Sequence, residues 1–338
     1  MSAIEETANE APAVEAVPKR AMTLGTGASL VMLALLIIGP MFVKNFIVFQ
    51  LTMLLIYALA VLALNILTGG SGQFSLGQSA FYAVGAYTSA ILMEHMGVNY
   101  ALTLPVAGLI CFGFGFLFGQ PALRLSGIYL ALATFALAVA MPQLLKLGVF
   151  EHWTGGVQGL VVTKPDAPFG LPMSQDTWLY YFSLAVVLAI YIFSVNLLRS
   201  RSGRAFMAIR DNEIAASSMG VNVALYKTLA FGVSAAITGI AGSLGAIAVQ
   251  FVAPDSYTIT LAISLFLGMV VGGVGWLPGS FVGAAFIIFV PNMAEGISKG
   301  LSGAVFGVLL FLVIYLVPHG ARQIAIMGQQ LVGRLRKN

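Results

Sequence analysis

The chain alternates between long apolar runs and short polar segments. Ten runs, most of them about 20 residues long, follow one another from residue 24 to residue 318. About 20 apolar residues are enough for a helix to span the hydrocarbon core of a bilayer. The pattern therefore predicts an all-α integral membrane protein with about ten transmembrane helices. The predicted spans are 24–43, 46–67, 79–96, 100–120, 127–146, 178–198, 228–251, 259–272, 279–297 and 301–318.

The segments outside these runs divide the chain into three parts. Residues 1–17 are acidic, rich in alanine and proline and free of aromatic side chains, so they cannot bury enough apolar area to offset the entropy of ordering. A cleaved signal peptide would be shorter and would end in small residues, which favours 24–43 as an uncleaved first helix. We expect a disordered cytoplasmic tail over 1–20, a single transmembrane domain over 21–320 and a basic cytoplasmic tail over 321–338.

The positions of lysine and arginine predict the orientation. With both termini in the cytoplasm and ten spans, only Lys44, Lys146, Lys164 and Lys299 of the 16 basic residues lie on the outer side. An excess of positive charge on the inner side is what the positive-inside rule expects. Losing one span would move either the basic loop 199–227 or the basic C-terminus to the outer side.

Composition agrees with a membrane protein and excludes several classes of function. Hydrophobic residues make up 59% of the chain and charged residues 8%, against roughly 25% charged residues in soluble domains. The net charge of +4 indicates no nucleic-acid partner, because basic residues of membrane proteins report orientation and lipid contact. Cys111 is the single cysteine, so the chain has no internal disulfide, and the three histidines lack metal-ligand spacing.

The sequence lacks the usual means of driving uphill movement by itself. Ion-coupled carriers need ionisable groups at membrane depth, yet beyond the N-terminal tail every Asp and Glu falls in a predicted loop or near a helix end. No GxxxxGK[ST] phosphate-binding loop occurs, and the loops 147–177 and 199–227 are too short for a nucleotide-binding domain. Any ATPase is therefore a separate chain, although backbone carbonyls that coordinate sodium remain an alternative.

One segment, Asn65–Ala86, interrupts the apolar pattern with glycines, hydroxyls and amides. Backbone that leaves helical geometry inside a membrane usually lines a cavity or a path. Glycines permit this departure, and the polar side chains among them can face a polar solute. The alternative is a glycine-rich turn with close helix packing. The residues concerned are Gly72, Gln73, Ser75, Gly77 and Gln78.

The loop 199–227 is the large polar segment on the predicted inner side. Its pattern predicts a short amphipathic helix with Ser202 as N-cap, Gly220 as the stop, and Phe206 and Ile209 on one face. The alternative is a solvated loop that contacts lipid headgroups. Met207 and Ile214 share a face at i,i+7, and the flanking charges are Arg204, Arg210, Asp211 and Glu213.

Two glycine segments resemble each other. Gly69–Gly77 and Gly272–Gly279 each open with Gly-Gly-x-Gly and end with a glycine before an apolar helix. Both lie on the inner side of the predicted topology. A weak internal repeat and a coincidence of glycines are the two interpretations.

Four ordered blocks cover the chain from about 65 to 286. The first is Gly72-Gln73-Phe74-Ser75-Leu76-Gly77 with Ala80-Phe81 and Gly85-Ala86-Tyr87, and the second is Thr154-Gly155-Gly156 with Gly159-Leu160. The third is Gly203-Arg204-Ala205 with Ala208-Ile209-Arg210, Glu213-Ile214-Ala215-Ala216 and Gly220. The last is Pro254, Tyr257, Ser264 and Gly272-Gly273-Val274-Gly275 with Pro278-Gly279 and Gly283-Ala284. The third block resembles the cytoplasmic coupling loop of ABC-importer permeases. The set as a whole resembles the branched-chain amino-acid permease family.

The resemblance implies a type II ABC-importer-like permease in the bacterial inner membrane, with both termini cytoplasmic. The loop 199–227 would dock onto the ATPase subunits. The implied partners are a second homologous permease subunit, two ATP-binding-cassette ATPase subunits, an extracytoplasmic solute-binding protein and membrane lipids. The chain itself would have no ATPase activity, no metal and no bound cofactor, since ATP is used by the partner subunits.

The resemblance also implies two groups of site residues. The ATPase-coupling group is Arg204, Ile209, Arg210, Asp211, Glu213 and Gly220. The substrate-pathway group is Gly72, Gln73, Ser75, Gly77, Gln78, Thr154, Gly155, Gly156, Gly272 and Gly273.

Branched-chain or other hydrophobic amino acids are the expected cargo. Amide, hydroxyl and backbone groups can replace the hydration of a solute that carries few formal charges. The same machine could carry urea, short amides or aromatic acids instead. An ion-coupled secondary carrier and a non-transport membrane scaffold are the alternatives of a different class.

Overall fold

The computed structural model describes residues 39–41, 43–123, 125, 127–167 and 173–297, and the single residues 307, 320 and 321. The chain divides into two units, residues 1–44 and 45–338. In the first unit, Gly39–Met41 forms one 3₁₀ turn. Most of the predicted spans 24–43 and 301–318, and most of both tails, lie outside the described residues.

Helices make up most of the described part of the second unit. A two-stranded antiparallel sheet pairs β1, Leu160–Val161, with β2, Phe251–Val252. A π-helical turn at Ile66–Gly70 continues α1, and a 3₁₀ turn at Pro254–Tyr257 precedes α10. The helices are α1 Asn45–Asn65, α2 Gln78–Met96, α3 Tyr100–Ala122, α4 Ile128–Leu145, α5 Glu151–Thr154, α6 Gln175–Arg199, α7 Arg201–Asp211, α8 Glu213–Ser218, α9 Val223–Val249, α10 Ile259–Gly272 and α11 Gly279–Ile297.

Each predicted span between residues 46 and 297 is a helix. Within the described residues, six helical segments are long and apolar enough to cross a membrane. The apolar part of α11, Gly279–Met293, is shorter, and α2 carries several polar residues along its 19 positions. The six segments are Asn45–Gly70, Tyr100–Pro121, Ile128–Leu145, Gln175–Arg199, Val223–Val249 and Pro254–Gly272.

Helix α9 lies at the centre of the second unit. It packs against α1, α2 and α3, and 83% of its most apolar segment is buried, against 22% for α6. Small residues allow these close contacts, since a Cβ added to Gly85 would lie 2.0 Å from the oxygen of Gly239. Glycine at helix interfaces lets backbones approach closely.

Helix α2 separates two ends of the unit. Its 19 residues extend over about 28 Å at 1.5 Å per residue. The α7 end, next to Gln78, holds α7 and α8 and the loop between α10 and α11. The α5 end, next to His95, holds α5, where His95 Nε2 lies 3.1 Å from the carbonyl oxygen of His152. Three segments that are predicted to lie on the inner side, namely the break after α1, the loop 199–227 and the loop 273–278, therefore lie at one end.

Candidate functional site

The helix break lies at the α7 end. After α1 the chain forms the π turn Ile66–Gly70 and then runs without helix to Gly77. Gly72 has a φ of +74°, a conformation that glycine adopts readily. The chain thus leaves α-helical geometry where the glycine pattern predicts it.

Polar side chains in the break are hydrogen-bonded within the chain. The buried Gln73 donates from Nε2 to Ser71 Oγ at 2.9 Å and to the carbonyl oxygen of Lys227 at 3.2 Å. Ser75 Oγ accepts from the backbone N–H of Gly77 at 3.2 Å. Ser75 also lines an apolar cavity of about 350 Å³ between the break and α4. The bond from Gln73 to Lys227 holds the broken segment against the start of α9.

Gln78 belongs to a buried network that joins three helices. Its Nε2 donates to Ser234 Oγ at 3.0 Å, and its Oε1 accepts from Thr238 Oγ1 at 2.7 Å. Ser234 Oγ in turn donates to the carbonyl oxygen of Ala63 at 2.8 Å. The network links α1, α2 and α9, so the amide of Gln78 has a packing role besides the predicted pathway role.

The loop 199–227 forms two helices, α7 and α8, where the sequence predicts one. Ser200 caps α7, accepting from the N–H of Gly203 at 3.4 Å. The predicted cap, Ser202, is wrong because the extended backbone lies at Ser200 and Ser202 is already inside the helix. Asn212 separates the helices and caps α8 through two 3.0 Å bonds from backbone N–H groups. Gly220, with a φ of +83°, follows α8 as predicted.

The faces of α7 and α8 differ sharply in exposure. Phe206 and Ile209 are buried together, as their spacing predicts. Met207 and Ile214 do not share a buried face, because they lie on different helices and are 36% and 81% exposed. Met219, just after α8, is 85% exposed. An exposed apolar tip beside charged residues is typical of a protein-binding surface.

Arg210 connects α7 to the helix break. Its Nη1 donates to the carbonyl oxygen of Gly69 at 2.8 Å, and its Nε and Nη2 both donate to Asp211 Oδ1 at 3.0 Å. Gly72 lies directly beneath the side chain, since a Cβ there would come within 3.0 Å of Arg210 Cγ. A charged donor to a buried carbonyl is among the stronger hydrogen bonds.

Glu213 makes a second connection. Its carboxylate forms an ion pair with the largely buried ammonium of Lys227. The carbonyl oxygen of Lys227 is the same one that accepts from Gln73. The predicted coupling residues and the break are therefore joined at two places.

The loop after α10 completes this assembly. A Cβ on Gly69 would lie 2.5 Å from the backbone nitrogen of Gly275, so the two glycine segments that resemble each other lie in contact. Asn65 Nδ2 donates to the carbonyl oxygens of Gly273 and Trp276 at 3.3 and 3.1 Å, and its Oδ1 accepts from the N–H of Gly275 at 2.6 Å. Sequence reasoning did not select Asn65 as a site residue. The sequence does contain a signal for it: Asn65 is an amide at the end of an apolar run, where leaving a polar group unpaired is costly, so a hydrogen-bond partner is expected.

Thr154, Gly155 and Gly156 lie at the opposite, α5 end. Thr154 Oγ1 donates to the carbonyl oxygens of Leu145 and Phe150, both at 3.0 Å, and accepts from the N–H of Gly156 at 3.2 Å. Gly155 has a φ of +71°. These residues form the turn that leads into β1, about the length of α2 away from Gly72 and Gly273.

Besides these residues, the structure contains an open cavity of about 590 Å³ between α1, α10 and α11. Its lining mixes hydroxyl and amide side chains with apolar ones, and the predicted pathway residues are not among them. The residues that line this cavity include Gln50, Met53, Tyr57, Thr260, Leu261 and Asn292.

In the part of the chain that the structure describes, His, Cys, Asp and Glu form no group that could hold a metal ion.

A protein-family model matches residues 46–317, and its description is "Branched-chain amino acid transport system / permease component". The chain is 33% identical over 318 residues to the high-affinity branched-chain amino acid transport system permease protein LivM of Salmonella typhimurium. That match covers 86% of this chain and 74% of the relative.

More distant relatives extend the comparison. The probable branched-chain amino acid transport permease protein LivM of Methanocaldococcus jannaschii is 24% identical over 269 residues, covering 75% of this chain and 76% of that protein. The autoinducer 2 import system permease protein LsrC of Escherichia coli is 26% identical over 260 residues, which cover 75% of this chain and 72% of that protein. No solved structure matches the chain.

Proposed function

We propose, since the chain belongs to the family of branched-chain amino acid transport system permease components, that it is the membrane permease subunit of an ATP-binding-cassette importer. It is a multi-pass membrane protein. In the proposal it lies in the bacterial inner membrane with ten spans and both termini cytoplasmic, which places the α7 end inside. The permease domain extends over 21–320 and the tails over 1–20 and 321–338.

The observation that carries this proposal is the contact between Arg210 and Gly69. The exposed surface of α7 and α8 is joined through it to the point where α1 breaks. A surface that binds an ATPase would need such a link to move the membrane helices. A solvated loop that only contacts lipid headgroups would need none.

The proposed docking surface combines charged and apolar residues. Arg204, Asp211 and Glu213 are exposed on α7 and α8, while Ile209 anchors α7 from its buried side and Gly220 ends the segment. The exposed apolar tip adds area that a partner can bury. The ATPase subunits supply the energy, and this chain hydrolyses no ATP itself.

Branched-chain or other hydrophobic amino acids are the proposed cargo. The LivM relatives are named for branched-chain amino acid transport, and LsrC is named for autoinducer 2 import, so the family includes a permease for a different small solute. Urea, short amides and aromatic acids therefore stay as alternative cargoes. A second permease subunit would complete the pathway, and an extracytoplasmic binding protein would deliver the solute.

The predicted pathway residues form two groups in this proposal. Gly72, Gln73, Ser75, Gly77, Gln78, Gly272 and Gly273 would act at the inner end, and Thr154, Gly155 and Gly156 at the outer end. Their hydrogen bonds within the chain favour a role in shaping the backbone of the pathway. Backbone groups that leave regular geometry are available to line it.

Reconstitution tests the proposal. The chain is coexpressed with candidate permease, ATPase and binding-protein subunits from the same organism, and leucine uptake into proteoliposomes is measured with and without ATP. Uptake should require ATP and both ATPase subunits. Uptake that persists without the ATPase subunits and stops when the ion gradient is dissipated would instead establish a secondary carrier.

Calorimetry on the neighbouring binding protein identifies the cargo. A panel of amino acids, urea and short amides is titrated into the purified protein. Binding of leucine, isoleucine or valine supports the proposed cargo. Binding confined to urea, amides or aromatic acids would leave the proposed importer function in place and would contradict the proposed cargo.

A further inference from the structure

The side chain of Asn65 holds the loop between α10 and α11. It is 2% exposed and lies at the last residue of α1. Its amide group uses both N–H donors and its oxygen on three backbone groups of Gly273–Trp276. Each partner is more than 200 residues away in sequence, so the amide ties together helices that share no local connection.

The backbone around this contact leaves no room for adjustment. Gly69 lies within one turn of Asn65, and a Cβ on Gly69 would fall 2.5 Å from the nitrogen of Gly275. Packed interfaces of this kind do not deform continuously, so a displacement on one side is passed to the other.

Gly69 also receives the hydrogen bond from Arg210. One backbone residue therefore touches α7 through its oxygen and the α10–α11 loop through its Cα side. The order of contacts runs from α7 to the π turn after α1, then through Asn65 and Gly69 to the loop that ends α10 and begins α11.

We infer that Asn65 is a positioning residue that transmits movement of α7 to α10 and α11 during transport. It contacts neither solute nor nucleotide. This inference rests on the proposed function, because it assumes that ATPase subunits move α7. Without the amide, α7 would still bind its partner, and the α10–α11 loop would no longer follow it.

Two variants and one matched control separate transmission from stability. Asn65→Asp keeps an acceptor for the N–H of Gly275 and leaves at most one donor, the O–H of a neutral carboxyl, for the two carbonyl oxygens. Asn65→Leu removes all three hydrogen bonds at similar size. Thr52→Val is the control, since Thr52 is also buried in α1 and its hydroxyl bonds only to Val48 of the same helix, at 2.9 Å.

The readout is a distance within the complete importer in lipid nanodiscs. Spin labels are placed at Val274→Cys in the loop and Leu109→Cys on α3, which are 43% and 72% exposed, while the native Cys111 is fully buried. ATP with vanadate is the trigger, so the measurement needs no cargo. In the parent and in Thr52→Val we expect the distance to shift by about 1–2 Å or more. In both Asn65 variants we expect this shift to be lost.

Three further measurements accompany the distance. Copurification of the ATPase subunits and basal ATP hydrolysis should match the control in both Asn65 variants. Stimulation of ATP hydrolysis by the neighbouring binding protein loaded with leucine should fall at least about fivefold, as expected for a lost coupling of this kind. If the Asn65→Leu variant does not assemble into the importer, the distance and hydrolysis measurements on Asn65→Asp alone test the inference.

The inference is overturned if the loop shifts equally in Asn65→Asp and Thr52→Val, or if it does not shift in the parent. Absence of ATPase copurification from the parent itself would remove the proposed function, and this inference with it. An intact parent with unaffected Asn65 variants removes only the inference.

Discussion

Three amide side chains make long-range polar contacts at the α7 end, besides the bond from Arg210 to Gly69. Gln73 reaches Lys227, Gln78 reaches Ser234 and Thr238, and Asn65 reaches the α10–α11 loop. Breaking a buried hydrogen bond by removing one partner costs about 1–3 kcal/mol. The polar residues that interrupt the apolar pattern therefore hold helices together without bringing a charge into the membrane.

Gln78→Leu distinguishes a packing role from solute contact. We expect stability to fall by about 1 kcal/mol, because Thr238 and Ser234 lose a buried partner. Thermal unfolding of the purified complex in detergent measures the change, with Thr88→Val as control because its hydroxyl bonds only within α2. An unchanged unfolding temperature with a raised KM for uptake would point to solute contact.

Arg210→Ala tests the contact with Gly69. We expect stimulated ATP turnover in the reconstituted importer to fall about fivefold or more, with membrane insertion intact, because α7 loses its hydrogen bond to the break. Arg201→Ala removes the same charge from the same helix and should leave turnover near that of the parent. Equal turnover in the two variants would exclude Arg210 from coupling.

Residue types could be predicted from the sequence, and their partners could not. The sequence predicts a coupling role for Arg210 and a helix break at Gly72, yet nothing in it places one against the other. Asn65 was missed because a single amide in an apolar run gives no indication of its partner. Hydrogen bonds between residues about 140 to 210 positions apart depend on how helices pack, which local patterns do not encode.

At the scale of single elements, local chemistry sets the helix ends. The predicted spans from 46 to 297 match helices, because apolar length alone identifies them. The prediction for the loop 199–227 was less accurate. Ser200 and Ser202 can both cap a helix, and Ser200 is the cap because the turn after α6 gives it the extended backbone. Asn212 carries a readable N-cap signal, since Asn directly precedes Glu-Ile-Ala-Ala, and it explains why one predicted helix is two.

Asn212→Ala tests whether α8 must be ordered to bind a partner. The cap contributes about 1 kcal/mol, and a helix of six residues cannot hold itself together in isolation. We therefore expect the affinity for purified ATPase subunits to fall about fivefold. Asn99→Ala removes an equivalent cap from α3 at the α5 end and should leave that affinity unchanged. Binding by surface plasmon resonance compares the two variants.

At the scale of the whole molecule, α9 organises the bundle, and hydropathy gave no sign of it. All the spans are apolar, so their order around a centre depends on small residues that match across helices. Gly115 of α3 lies so close to α9 that an added Cβ would be 2.3 Å from Ala235 Cβ. At Gly113, two residues earlier, an added Cβ would meet no atom of the described residues within 4 Å.

Gly115→Leu and Gly113→Leu form a matched pair for this packing. The first should destabilise the protein by about 1–3 kcal/mol through overpacking against α9. The second should be tolerated, because glycine in a helix is itself unfavourable by roughly 0.5–1 kcal/mol relative to alanine. Size-exclusion chromatography after heating compares the folded fractions. Equal losses would mean that α3 does not pack on α9 through Gly115.

The contact between Gly69 and Gly275 has a genetic consequence. Gly275 presents only backbone to Gly69, so a side chain introduced at Gly69 cannot be accommodated by trimming Gly275, although an added Cβ would also lie 2.6 Å from Asn65 Oδ1. Second-site suppressors of a Gly69→Ala defect should therefore be absent from positions 273–276 and arise instead where whole helices can shift. A selection for restored uptake would recover true revertants and distant changes, and a local suppressor would show that this backbone contact yields more readily than its geometry indicates.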